Sequence, residues 1–177
     1  LVLHADLSEP SGRKTLASYA DQTDILINNA GFGWYGYFSD MPENLVDEML
    51  QVNLIAVVEL TRMFLPSMRQ RKNGHIINIS SVVGGLPEQG VALYASTKAF
   101  MDSFTTALHR ELRGSGVHIS VLRPGPVKSE FYPRALAQQN GRRVPAERFA
   151  VSSEHVAEAI WSLLLHPRRV VYVPGWL

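Results

Sequence analysis

Residues 24–36 read DILINNAGFGWYG, and how this stretch is parsed decides the fold. An aliphatic, β-branched run after Asp24 predicts a strand over 24–31 with glycine at its exit. Gly31, Gly33 and Gly36 then satisfy G-x-G-x-x-G, the spacing with which dinucleotide-binding loops bring backbone close to a pyrophosphate at a helix N-terminus. The surroundings disqualify the match. A phosphate loop keeps its third glycine inside the opening helix, whereas Tyr37, Phe38, Ser39, Asp40 and Met41 stand here before Pro42, a residue suited to a first helical turn. Trp34 and Tyr35 place bulk where a phosphate would need room, and a lone motif of this kind is weak evidence in any chain. The stretch reads as a strand ending in a glycine-rich loop at the C-terminal edge of a sheet, where open α/β sheets bind ligands.

The same alternation of short apolar runs and amphipathic stretches continues outward. LVLHADL (1–7) predicts the end of a strand, followed by a loop at Ser8–Gly12 and a short helix to about Ala20. A helix is expected from near Pro42 to about Arg71, a strand over GHIINISS (74–81), and a helix from about Leu93 to Arg113. VHISVLRPG (117–125) is a further strand, 126–150 a polar segment, Ser153 a cap for a helix to Leu165, and RVVYV (169–173) a last strand. Strands alternating with helices imply parallel β-α-β units, and near-continuous apolar strands imply helices on both sheet faces. The expectation is one α/β domain over 1–177, without repeats or linkers.

Composition narrows the function classes. With 17 basic and 16 acidic residues the net charge is +1, and no basic face points to nucleic acid. The chain has no cysteine, which removes disulfides and thiolate metal sites and fits a reducing, cytoplasmic setting. The six histidines show no metal-ligand spacing. No apolar run approaches the roughly 18 residues of a membrane span, and no secretory signal opens the chain.

Chemistry concentrates in LYASTKAF (93–100). Tyr94 and Lys98 lie four apart on a predicted helix and so share a face. A free phenol, with a pKa near 10, is a poor base at neutral pH, and a neighbouring ammonium favours the phenolate. Alone, such a pair is more often solvated helix surface than a site. Here Ser81 stands thirteen residues before Tyr94 at a strand end, and Asn53 twenty-eight before Ser81 on the long helix. NNAG and RPGPV close two further strands at the same sheet edge.

These features, in this order and spacing, resemble the short-chain dehydrogenase/reductase family over essentially the whole chain. The resemblance implies a Rossmann-like, doubly wound parallel sheet and an NAD(P)-dependent oxidoreductase that interconverts a secondary alcohol and a ketone. By match to the family pattern, Tyr94 is the general acid/base and Ser81, rather than Ser80, holds the substrate oxygen. Lys98 contacts the nicotinamide ribose and lowers the tyrosine pKa; Asn53 bends its helix and supports a water-mediated proton relay. The cofactor, NAD or NADP, is expected to meet Asp6 and Leu7 at the adenine, Asn29, Ala30 and Gly31 near the adenine ribose, and Pro124, Gly125, Val127 and Ser129 on the nicotinamide side. Ser129 stands where the family commonly has threonine, a mild departure because either hydroxyl can make the contact.

The family's own glycine-rich loop and its first two strands do not appear in the sequence. The expectation is therefore a chain lacking the first β-α-β portion, with poor dinucleotide affinity by itself. A non-catalytic dinucleotide sensor on the same fold is the alternative from another class, and an epimerase or dehydratase shares the Tyr-x-x-x-Lys pair. The region 126–150 resembles the family's substrate-covering segment. Its Arg134, Arg142, Arg143 and Arg148 against Glu147 suit an anionic acyl substrate, although a solvated charged face is the commoner meaning of such a run. Apolar character all round Val52–Leu60 and the Tyr94 helix suggest a homodimer or homotetramer. The aromatics Phe32, Trp34, Tyr35 and Tyr37 are candidates for an apolar substrate wall.

Overall fold

A computed structural model describes residues 1–143 and 148–175. In chain order the regular elements are α1 (Pro10–Ala17), β1 (Ile25–Asn28), α2 (Glu43–Leu50), a π-helical turn (Gln51–Ile55), α3 (Ala56–Arg71), β2 (Gly74–Ile79), α4 (Ala92–Glu111), β3 (Val117–Pro124), β4 (Val127–Lys128), α5 (Phe131–Ala137), β5 (Val151–Ser152), α6 (Ser153–Leu165) and β6 (Val170–Val173). Four strands form a parallel sheet in the order β1-β2-β3-β6, while β4 and β5 pair separately. Register sets Asn28 beside Asn78, Asn78 beside Val121, and Pro124 beside Val173, so all four strands end along one edge.

Strand alternation divides the core between the two faces. Ile76 and Ile119 pack with Leu60, Phe64 and Met68 beneath the helices α3 and α4, whereas Ile77, Ile79 and Leu122 pack with Leu163 of α6 and Val173. Every residue of β2 is buried, the signature of a strand covered on both sides. The expected doubly wound α/β arrangement is therefore present.

Several local expectations need correction. The strand expected over 1–7 does not form: Leu1 and Val2 are 98% and 85% exposed, and no element begins before Pro10. A strand exists through its ladder partners, and no described strand lies beside this stretch. It is tied down by Arg13 instead, whose buried guanidinium donates to the Leu7 carbonyl (2.7 Å) and pairs with Glu59 of α3. Pro42 is the N-cap residue rather than the first helical one. Ser152, not Ser153, caps α6, accepting the His155 N–H at 3.3 Å. The polar segment from 126 contains β4 and α5, because Val127 finds Val151 as a strand partner; residues 144–147 of that segment, including Glu147 of the arginine-rich run, lie outside the described residues.

The helical stretch Glu43–Arg71 is continuous through the π turn, and by length and composition it meets the requirement for a membrane span that the apolar-run count had denied. Its Leu60, Phe64 and Met68 are spent on the core under the sheet, which accounts for its apolar character without a bilayer.

Candidate active site

Residues from four segments converge at the C-terminal edge of the sheet. Tyr94 and Lys98 occupy the first turns of α4, Ser81 follows β2, Asn53 sits in the π turn, and Gly31 follows β1. A π turn adds a residue to the helical repeat and re-aims the side chain within it. Here it sends Asn53, fully buried, out of the helix toward the loop after β1. Its Nδ2 donates to the Phe32 carbonyl (2.8 Å) and its Oδ1 accepts the Phe32 N–H (3.1 Å). The helix departs from the α repeat at the residue where a local irregularity was expected.

The two serines part company as strand alternation requires. Ser80 is buried and its hydroxyl donates to the Lys98 carbonyl (3.1 Å). Ser81 is half-buried; its hydroxyl donates to the Pro124 carbonyl (3.5 Å), accepts the Val83 N–H at 3.4 Å, and lies close enough to the Tyr94 phenol to lower its pKa. Lys98 is 4% exposed; its ammonium donates to the Ile79 carbonyl (2.8 Å) and lies 5.6 Å from the centre of the Tyr94 ring. Burial pushes the Lys98 pKa down to about 8, opposed by the charge of Asp102. Burial likewise raises the Tyr94 pKa, the Ser81 hydroxyl pulls it down, and Tyr132 adds to the rise.

The residues on this side fit a nicotinamide ribose. A Cβ on Gly31 would stand 3.0 Å from Asn53 Oδ1 and 3.7 Å from Lys98 Nζ, so glycine keeps the loop backbone flat against the lysine. Asn29, Ala30 and Gly31 are exposed along the same edge. Across it, the Gly125 N–H donates to the Val173 carbonyl (2.8 Å), which holds the Pro124–Gly125 turn. Val127 lies in β4, and the exposed Ser129 accepts the Phe131 N–H at 3.3 Å. Leu7 packs against the core of Leu60, Phe64 and Met68. The exposed Asp6 carboxylate accepts from the Ser8 N–H and hydroxyl, which lowers its pKa.

The GFGWYG loop does not form a phosphate cradle. The Trp34 ring covers Gly36, where a Cβ would meet it at 2.4 Å, and Trp34 Nε1 donates to the Gln139 carbonyl. Trp34, Leu45 and Met49 form a small core with Phe32, Met41, Leu93 and Tyr94 around it. A shallow recess beside it is lined by Trp34, Phe38, Met41, Leu93 and Tyr94. Two of the arginines in the 134–148 run already have carboxylate partners: Arg134 pairs with Glu130, and Arg142 lies 3.9 Å from Asp40.

Some residues that shape the site were not singled out by sequence reasoning. Phe131 of α5 packs against Tyr94, with ring centres 5.3 Å apart, and fills the space left by the missing side chain of Gly33. No local pattern announces that contact. Asn28 donates to Asn78 (2.8 Å) and Asn78 to Thr105 (2.8 Å), a buried polar chain from β1 through β2 to α4. Asp102, one turn after Lys98, was legible as an i,i+4 neighbour, but its burial was not.

The family model described as short chain dehydrogenase matches residues 1–140. An uncharacterized oxidoreductase of Escherichia coli K12, YbbO, is 32% identical over 139 residues, covering 76% of this chain and 52% of its own length. The ketoacyl reductase HetN of Nostoc sp. is 43% identical over 107 residues, 59% of this chain and 36% of that one. The chain thus spans about half or less of these curated relatives. Among solved structures, a short-chain dehydrogenase from Sphingobium yanoikuyae in complex with NADPH superposes with a TM-score of 0.85 at 27% identity, covering 96% of this chain and 66% of that one. Family match, parallel sheet and the Ser81–Tyr94–Lys98 cluster agree: the chain belongs to the short-chain dehydrogenase family.

Proposed function

We propose that the protein is an NAD(P)-dependent oxidoreductase interconverting a secondary alcohol and a ketone, with Tyr94 as the acid/base. The observation that carries this is the convergence of Tyr94, Ser81 and Lys98 beside a glycine whose side chain would obstruct them. The NADPH bound by the Sphingobium relative and the name of the Nostoc ketoacyl reductase support a nicotinamide cofactor and a carbonyl substrate.

Lys98, Gly31, Pro124, Gly125, Val127 and Ser129 would hold the nicotinamide half, and the bound cofactor supplies or accepts the hydride. The protein's task is to orient one oxygen and manage one proton. Ser81 presents a hydroxyl to the same point as the Tyr94 phenol and orients the substrate oxygen between them. In reduction Tyr94 gives its proton to that oxygen; in oxidation it takes the proton back. The Lys98 ammonium beside the ring stabilises the phenolate left behind. Asn53 keeps the loop after β1 in place. Phe131 and the recess beside Trp34 offer an apolar surface to the rest of the substrate, and α5 serves as part of its cover. A homodimer or homotetramer through the long helix and α4 accounts for the stacked, partly exposed Phe100 and Phe104 on α4.

The test uses the full protein, NADPH or NADH, and a panel of ketones followed at the nicotinamide absorbance. Tyr94→Phe should lower kcat at least a thousandfold while leaving cofactor affinity within a fewfold, as expected for loss of a proton donor together with its oxygen-binding role. Retained turnover overturns the assignment.

A further inference from the structure

The segment that carries Phe131 onto Tyr94 is fastened by a loop that the proton chemistry above does not use. Residues 131–142, which comprise α5 and the turn after it, contribute one buried side chain, Ala135. A helix of seven residues is not stable by itself, so tertiary contacts decide where α5 stands. Those contacts run to the stretch after β1. Phe131 fills the notch at Gly33, where a Cβ would meet its ring at 2.4 Å. Trp34 Nε1 donates to the Gln139 carbonyl (3.0 Å), the Arg142 N–H to the Tyr35 carbonyl (2.9 Å), and Asn140 Nδ2 to the Asp40 carbonyl (2.9 Å). The Arg142 guanidinium lies 5.1 Å from the centre of the Tyr37 ring.

The receiving loop is itself braced against the approach to α4. The Gly36 N–H donates to the Gly90 carbonyl (2.9 Å), and Gly90, at a φ of 90°, lies against the Tyr35 ring, where a Cβ would stand at 2.8 Å. Trp34 is 4% exposed, with its ring over Gly36. A buried indole N–H needs a partner, and the Gln139 carbonyl is the one it has. Withdrawal of that carbonyl would strand the donor. The penalty biases the segment toward the position in which Phe131 packs on Tyr94, ring centres 5.3 Å apart.

We propose that Trp34 is a positioning residue for the substrate cover. Through its bond to the Gln139 carbonyl it holds residues 131–142 against the loop after β1, and so sets how tightly a ketone is held beside Tyr94. The proposal deepens the oxidoreductase reading and rests on its placing of α5 over the substrate. A substrate held only under the fastened segment binds with an apparent affinity scaled by the fraction fastened. Trp34 therefore acts on the substrate through Gln139 and Phe131.

The experiment measures hydrogen exchange by NMR in the full protein without ligands, and KM and kcat for a ketone. Trp34→Phe keeps a ring over Gly36 but removes the donor. The Arg142 amide should then exchange about fivefold faster, the worth of one neutral hydrogen bond, while the Gly36 amide, bonded to Gly90, keeps its rate. KM should rise by about the same fivefold factor, and kcat should change far less. An unmoved Arg142 rate overturns the proposal, as does equal acceleration at Gly36, the mark of a residue that only packs its own loop. Faster exchange at Arg142 with an unmoved KM overturns it too. If Trp34→Phe fails to fold, Asn140→Asp decides: aspartate tolerates the left-handed backbone there (φ 60°) but cannot donate to the Asp40 carbonyl. It should speed exchange of the Arg142 amide and the Trp34 indole N–H by the same factor, and an indole rate that stays put overturns the proposal. Absence of ketone turnover in the wild type overturns the oxidoreductase reading instead, and the exchange rates still decide whether Trp34 fastens the segment.

Discussion

Asn53 and Phe32 are joined by two hydrogen bonds, side-chain amide to carbonyl at 2.8 Å and backbone N–H to side-chain oxygen at 3.1 Å. The pair bolts the loop after β1 to the π turn, next to the glycine that faces Lys98. Asn53→Ala leaves both polar groups of Phe32 without their partner. A loss of about 2–4 kcal/mol is expected, from the penalty for each unsatisfied buried group. Urea unfolding of the variant checks it; a loss within error of zero would mean that the loop is held elsewhere.

The Phe131 ring rests in the space that Gly33 leaves open, where a Cβ would meet Phe131 Cζ at 2.4 Å. Gly33→Ala must displace that ring from Tyr94, whereas Phe131→Ala vacates the space. In the full protein Phe131→Ala should favour bulky over small ketones in kcat/KM by about tenfold, in line with the value of a few methylenes in an apolar pocket. Gly33→Ala should lower activity toward both. Identical ratios for wild type and Phe131→Ala would remove Phe131 from the substrate wall.

His75 is buried, with Nε2 2.8 Å from the Ser120 hydroxyl, which itself donates to the Arg168 carbonyl. The imidazole N–H is therefore the donor to Ser120, an assignment made from the network. Burial, reinforced by neighbouring His118, pushes the His75 pKa from 6.5 down to about 4. Between these values the unfolded chain binds the proton and the folded one does not, so stability falls as pH drops from 6.5 toward 4. The expected loss is about 2–3 kcal/mol, from roughly 1.4 kcal/mol per unit with allowance for partial solvation. His75→Gln should flatten the pH dependence of urea unfolding in that window. An unchanged slope would place the acid sensitivity in other groups.

Ile25 and Ile27 of the edge strand β1 are 45% and 41% exposed, and the GFGWYG loop is filled by Trp34. Among the described residues of the 177 there is no pyrophosphate cradle. Their affinity for NADPH or NADH should be weaker than about 100 µM, since the phosphate contacts that dominate such sites are missing. A fluorescence titration returning low-micromolar binding would refute this.

Much of the architecture was readable before any coordinates. Apolar runs such as GHIINIS can be buried on both faces only in a covered parallel sheet, so the α/β class follows from periodicity alone. Tyr94, Lys98, Ser81 and Asn53 were legible as candidates because their order and spacing resemble the short-chain dehydrogenase pattern. The strand misread at 1–7 marks the limit, because LVLHADL has strand composition but a strand needs a neighbour to bond to.

Tertiary structure alone decided what no spacing encodes. Phe131 meets Tyr94 from thirty-seven residues away because Gly33 makes room for it. Arg123 meets Asp102 because β3 passes beside α4. Burial, which turns Lys98 from a surface cation into one with a pKa near 8, belongs to the packed sheet edge rather than to the lysine. The sequence by itself nominated the candidate groups, through an order and spacing that resemble the family pattern. The fold determined how strongly they act, because desolvation and charge pairing arise only where distant segments close over them.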